Sequence, residues 1–218
     1  MNDVEDKLLE LTEEIKRCTA CHLSRGRTNV VPGIYGPKNG ICFIGEAPGF
    51  FEDKQGLPFV GRSGKLLDNM LKEIGLTRRS VSILNVVKCR PTTSDGKNRT
   101  PTEHELKFCG ERWLFKQLEL IKPKLIVTLG GIALKFFFPK LSVTKTVGKV
   151  LKTKEGYKIF VTYHPAFILR NYNLLETYEK HFKEINEIIR AKTNRIATKG
   201  IEEKKSEKTQ KSLMDFLI

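Results

Sequence analysis

Apolar residues recur at helical spacing over residues 4 to 17, where Leu8, Leu11 and Ile15 share one face. That predicted helix runs straight into Cys18-Thr-Ala-Cys21. A Gly/Pro-rich stretch, Pro32-Gly-Ile-Tyr-Gly-Pro37, breaks the pattern. The compact run Ile41-Cys-Phe-Ile44 then reads as a buried strand entering the turn Gly45-Glu-Ala-Pro-Gly49. Ser63 is placed as the N-cap of a helix whose apolar face is Leu66, Leu67, Met70, Leu71 and Ile74 and whose end is marked by Gly75. A second strand covers Val81 to Val87. Thr102 and Glu105 form a capping box that opens a helix to about Ile121. Leu125 to Leu129 is a third strand, and another helix starts near Ile132. Val147–Leu151 and Tyr157–Val161 flank a polar turn, and a last helix carries Leu174, Tyr178, Phe182, Ile185 and Ile189.

Strands alternating with helices predict an α/β fold, a three-layer α/β/α sandwich with a mainly parallel central sheet and functional loops at the carboxyl ends of its strands. Gly45-Glu46, Asn85 and Tyr163-His164-Pro165 fall at such ends. The core pattern stops near residue 191, so residues 1–191 are expected to form one domain. Residues 192–209 are Lys/Glu-rich and lack the apolar surface a fold needs, which predicts a solvated linker. Residues 210–218 end in an apolar tip that reads as a docking peptide.

The chain of 218 residues carries 39 Lys and Arg against 25 Asp and Glu, a net charge of +14. Such an excess argues for a polyanionic partner, nucleic acid ahead of a membrane surface. The 39% hydrophobic content excludes wholesale disorder, and the apolar runs are too short to span a bilayer. Five cysteines, an odd number, argue against a disulfide framework and for a reducing compartment, the cytoplasm by default.

Cys18, Cys21, Cys89 and Cys109 offer four thiolates for tetrahedral zinc or an iron–sulfur cluster, or are in part ordinary buried thiols. Cys42, inside an apolar strand, reads as core. The Gly45 to Asp53 loop gathers three carboxylates, Glu46, Glu52 and Asp53, around two glycines, either as a ligand loop or as a tight turn with solvated acids. It matches neither common phosphate-binding fingerprint, which counts against nucleotide hydrolysis and hydride transfer. Asn85 in a buried run needs partners and suits a base edge or the local backbone, and His164 before Pro165 is structural or catalytic.

Taken in order, Cys18-Thr-Ala-Cys21, Gly45-Glu-Ala-Pro-Gly49, Glu52-Asp53, Gly56-Leu-Pro-Phe-Val-Gly61, Asn85-Val-Val-Lys-Cys-Arg-Pro91 and His164-Pro165 with Leu169-Arg170 resemble the family 4 uracil-DNA glycosylases, the iron–sulfur class. The resemblance spans roughly residues 10 to 190. Two departures are Ser63, where alanine is more usual, and Ala166, where serine is. It implies a uracil-DNA glycosylase-like fold, a structural [4Fe-4S] cluster on Cys18, Cys21, Cys89 and Cys109, and release of uracil from DNA in base excision repair. It further implies that Gly45, Glu52, Phe59, Asn85 and His164 bind the flipped base. Phe59 would stack on the ring, Asn85 read its edge and Glu52 crowd C5. His164 and Glu46 would act in catalysis, and Leu169 and Arg170 would form the wedge that fills the vacated stack. No catalytic lysine is implied, so the expected enzyme is a monofunctional, monomeric glycosylase acting on single- or double-stranded DNA. Gln210, Leu213, Phe216 and Leu217 resemble a peptide that docks on a sliding clamp (PCNA). The competing expectation is an iron–sulfur or zinc nucleic-acid-binding module tethered to the clamp without catalysis.

Overall fold

Residues 3–37 and 40–191 are described by a computed structural model; the expected linker and clamp-binding peptide lie outside them. Five strands form one sheet in the order β2-β1-β3-β5-β4. They are β1 (Ile41–Gly45), β2 (Val81–Asn85), β3 (Leu125–Leu129), β4 (Val150–Lys152) and β5 (Lys158–Thr162). β2, β1, β3 and β5 run parallel, and β4 closes the edge as an antiparallel partner of β5. Strands β1, β2 and β3 are buried at every position, as a sheet covered on both faces requires.

Alternation along β1 divides the core. Cys42 and Ile44 face a layer built from α1 (Asp3–Lys16), α4 (Glu103–Cys109), α5 (Phe115–Ile121) and α6 (Gly131–Phe137). Ile41 and Phe43 face α3 (Arg62–Glu73) and the helix over 175–191, through Leu67, Met70, Leu71, Tyr178, Phe182 and Ile185. α1 buries Leu8, Leu11 and Ile15, the face its spacing predicts. The sandwich is therefore the expected three-layer α/β/α fold, and its last described helix reaches residue 191.

Several boundaries shift. The N-cap of α3 is Gly61, and Ser63 lies inside the first turn. Glu52 Oε1 instead accepts from the Val60 and Gly61 amides at 3.2 and 3.4 Å, so part of the helix entrance is satisfied from the preceding short helix. Gly75 does end α3: its amide donates to the Lys72 carbonyl and the Leu76 amide to that of Leu71, a Schellman closure. β2 stops at Asn85, two residues short of Val87; the Val86 amide still donates to the Gly45 carbonyl as the last bond of the ladder, and that of Val87 donates to the Glu46 carbonyl in the loop beyond it. β4 begins at Val150 and not Val147, which closes the short α7 (Val143–Thr146), and Leu174 sits in the turn before the last helix. The Thr102 capping box forms as expected, but the helix widens into a π-turn over Gly110–Leu114 directly after Cys109.

Candidate active site

Parallel register sets Gly45 beside Asn85 at the carboxyl ends of β1 and β2. Into this corner projects Phe59, 5% exposed, from the loop between α2 (Phe50–Gln55) and α3. A Cβ at Gly45 would lie within 3 Å of both the Asn85 side-chain oxygen and the Phe59 ring, so only glycine admits this convergence. Asn85 is 3% exposed, and its side-chain amide has no hydrogen-bond partner among the described residues. A nearly buried amide left open is a group prepared for a ligand.

Phe59 holds a left-handed backbone, φ 53°, which a bulky residue adopts only under constraint. The constraint is Arg78. Its guanidinium donates to the Pro58 carbonyl at 2.9 Å, to the Phe59 carbonyl, and to Asp68 of α3 at 2.6 Å. The Phe59 carbonyl also presses on α3 at Gly64, where any side chain would collide with it.

His164 caps the short α8 (Pro165–Ile168) and stacks on Phe59, with ring centroids 5.7 Å apart and planes 30° apart. Its Nδ1 accepts from the Ala166 amide at 3.1 Å, which leaves the proton on Nε2. Burial, with Arg170 adding to it, lowers its pKa from 6.5 to about 4, so the ring is neutral at physiological pH with Nε2–H free to donate. Glu46, in the loop after β1, has its carboxyl pushed above the usual range by burial. Glu52 is committed to the Val60 and Gly61 amides, and Asp53 accepts from the Thr28 and Asn29 amides, so both carboxylates also hold the loops in shape. Beyond α8, Leu169 is 43% exposed, and with Tyr172 and Ile168 it lines a groove of about 460 Å³ against Leu66 and Met70.

The cysteines gather on the other side of β2. Cys89 and Cys109 are buried, Cys18 and Cys21 half-buried, and Cys42 is sealed in β1, where burial pushes its thiol up to about 12. Cys89 lies within electrostatic reach of Cys18 and Cys21, and Cys109 of Cys89 and Cys21. Three thiols receive N–H donors: Cys18 from Trp113 Nε1 at 3.3 Å, Cys89 from Arg27 at 3.0 Å and Cys109 from the Lys88 amide at 3.3 Å. His22, next to Cys21, meets Glu105 of α4 at 2.8 Å and ties the C-x-x-C to the helix that carries Cys109. Among the described residues no group of three or more ligand-type side chains closes on a single metal ion. Four thiols from three stretches of chain, supplied with N–H donors, form a donor set that fits an iron–sulfur cluster. Burial pushes the Cys109 thiol up to about 12, so a cation is needed to hold its thiolate.

Of the expected residues, Gly45, Phe59, Asn85 and His164 come together, Glu46 and Glu52 lie on the segment that follows β1, and the four cysteines lie apart from them. Sequence reading missed Arg78, a basic residue ahead of a strand with no local mark of its task. It also gave no role to Lys88, 1% exposed, whose Nζ donates to the Asn85 carbonyl at 2.7 Å while its own amide reaches Cys109. A lysine embedded in Val86-Val87-Lys88-Cys89 was the available signal.

Asn85 at the end of β2, His164 after β5 and Phe59 from the loop before α3 bring an amide, a neutral imidazole and an aromatic ring to the carboxyl edge of the sheet, a set suited to a flat, polar-edged ring. The sequence profile of the uracil DNA glycosylase superfamily matches residues 32–190, and the chain belongs to that superfamily. Its relatives include several type-4 uracil-DNA glycosylases. The protein of that name from Sulfurisphaera tokodaii is 49% identical over 192 residues, covering 84% of this chain and 85% of that protein. The one from Thermotoga maritima is 47% identical over 169 residues, 76% and 85% of the two chains, and the one from Archaeoglobus fulgidus 42% over 191 residues, 84% and 94%.

Proposed function

We propose that the protein is a monofunctional uracil-DNA glycosylase of base excision repair, which hydrolyses the N-glycosidic bond of a uracil nucleotide flipped out of DNA. The observation that carries this reading is the meeting of the open Asn85 amide, the Phe59 ring and the neutral His164 at one corner of the sheet. Phe59 stacks on the uracil. Asn85 accepts from N3–H and donates to O4, a pairing cytosine leaves unsatisfied at a cost of about 1–3 kcal/mol. Gly45 keeps the strand end open to the base, and Glu52 crowds C5, where thymine carries a methyl group.

In the reaction the C1′–N1 bond breaks, water oxygen bonds to C1′, and the water's proton ends on the departing base. His164 Nε2–H donates to O2 as negative charge develops there, a role a neutral imidazole fills without first giving up charge. Glu46 orients the water and supports the positive charge on the sugar. Leu169 and Arg170 enter the space the nucleotide leaves.

Cys18, Cys21, Cys89 and Cys109 would hold a [4Fe-4S] cluster, which supplies a cross-link between chain segments and takes no part in bond cleavage. Residues 1–191 are the catalytic domain, 192–209 a linker, and Gln210, Leu213, Phe216 and Leu217 a peptide for the sliding clamp (PCNA), all the latter outside the described residues. A cytoplasmic, monomeric protein accords with this reading, and no helix of the described residues is long and apolar enough to cross a membrane.

The test is base release from an oligonucleotide carrying one uracil, scored by strand cleavage only after alkali, beside a thymine control. Alkali-dependent, uracil-specific cleavage is expected. Binding by cluster-loaded protein without any abasic product would overturn the reading in favour of a clamp-tethered binding module.

A further inference from the structure

Among the described residues eight large hydrophobic side chains are exposed, and six of them sit on two segments that flank the cleft: Phe50, Phe51 and Leu57 on one side, Phe167, Leu169 and Tyr172 on the other. The second group belongs to the wedge loop. The first has no role in the reading above. α2 begins at Phe50, directly after the Gly45–Gly49 loop, with Phe50 46% and Phe51 58% exposed and their rings edge to face at 5.4 Å. Two cations flank the Phe50 ring. The Arg90 guanidinium lies 5.1 Å from the Phe50 ring centre and Lys54 Nζ 5.8 Å. Arg90 is itself held by Asn98 Oδ1 at 2.6 Å and the Gly96 carbonyl at 2.9 Å, so its charge is fixed in place.

The patch is continuous with the cleft. A Cβ at Gly61, two residues from Phe59, would touch the Phe51 ring at 3.7 Å and Glu52 at 3.8 Å. Exposed aromatic faces interleaved with fixed cations are the combination that binds single-stranded nucleic acid, because every base has a π-face and every nucleotide a phosphate.

We propose that Phe51, backed by Phe50, Lys54 and Arg90, is a stacking shelf for the nucleotide flanking the flipped uracil on the same strand, the base lying on Phe51 and its phosphate on the cations. This rests on the reading of the cleft as a uracil pocket. In a duplex the flanking base is already stacked and paired, whereas in a single strand it is free, so the shelf favours unpaired DNA.

The test uses the full-length, cluster-loaded protein and its Phe51→Ala and Phe51→Trp variants on one uracil sequence, single-stranded and paired opposite guanine. Phe51→Ala should raise KM on the single strand about tenfold with kcat unchanged, and Phe51→Trp should restore it. On the duplex the change should stay below about threefold. The fluorescent base 2-aminopurine, placed on either side of the uracil, should be quenched by the wild type on one side only, and Phe51→Ala should lose that quenching. Equal KM values for wild type and Phe51→Ala on the single strand, or equal losses on both substrates, would overturn the shelf. So would a Phe51→Ala variant that changes only self-association in sedimentation, which would make this face a contact between two copies. A uracil-free 2-aminopurine strand separates the two readings: binding and Phe51-dependent quenching there, while the wild type releases no base from the uracil-containing strands, would sink the enzyme and keep the shelf.

Discussion

A neutral His164 carries a measurable cost in acid. Its folded-state pKa of about 4 lies below the ordinary 6.5 of an unfolded chain, because burial, with the Arg170 charge adding to it, disfavours the imidazolium. Between those values the unfolded chain binds more protons than the folded one, so stability present above pH 6.5 is lost as the pH falls toward 4. Lowering the pH from 7 to 4.5 should therefore remove about 2 kcal/mol through this one group. Other groups titrate over the same interval, so the quantity to measure is a difference. His164→Asn keeps an oxygen for the Ala166 amide and cannot titrate. Urea unfolding of wild type and variant at both pH values should give a wild-type loss larger by that amount, and the His164 ring resonance should show a midpoint well below 6. A midpoint near 6.5 with parallel stability curves would refute the buried neutral donor, and with it the proposed contact to O2.

Arg78→Ala should lower stability by about 2 kcal/mol in urea unfolding, since the Pro58 and Phe59 carbonyls and Asp68 all lose their donor, and lysine should recover only part because it cannot span three acceptors in one plane. Gly45→Ala should slow single-turnover uracil release about a hundredfold by displacing Asn85 and Phe59, with DNA binding retained in a filter or anisotropy assay. Trp113 is the chain's single tryptophan and donates to Cys18, so its emission should be quenched in the cluster-loaded protein and rise when the iron is oxidised and chelated. Cys109→Ser should lower bound iron and raise the same emission; wild-type-like values for both would exclude Cys109 as a ligand.

Most of the layering was legible because it rests on local pattern: the apolar run of β1, the run of β3 broken only by Thr128, the Thr102–Glu105 box, and the α1 stripe that ends at the C-x-x-C. Reading failed where a distant residue did the local work. Ser63 has the chemistry of a cap, yet amides at the helix entrance are met by Glu52 eight and nine residues upstream, which no window around Ser63 contains. The π-turn after Cys109 has no signature either; it shows itself only in Trp113 reaching Cys18, 95 residues away in the chain. His164 and Asn85 were found as polar residues at strand ends, but the neutrality of one and the open amide of the other depend on burial that only the assembled fold supplies. Phe59 was recognised by likeness alone, since its left-handed backbone is imposed by Arg78 and Gly64 from α3 and beyond.

The cleft at Gly45 and Gly64 is shaped by atoms the chain leaves out, and glycine has nothing further to remove. Mutation at these two positions can only run one way, toward a smaller opening. A lineage that came to accept a larger base would have to find its extra space at side chains that can still shrink, Phe59 or His164, and would give up stacking or leaving-group assistance in doing so. Substrate range in such a protein is thus bounded above by backbone and adjustable below by side chain, an asymmetry that selection for new specificity and laboratory redesign would meet alike.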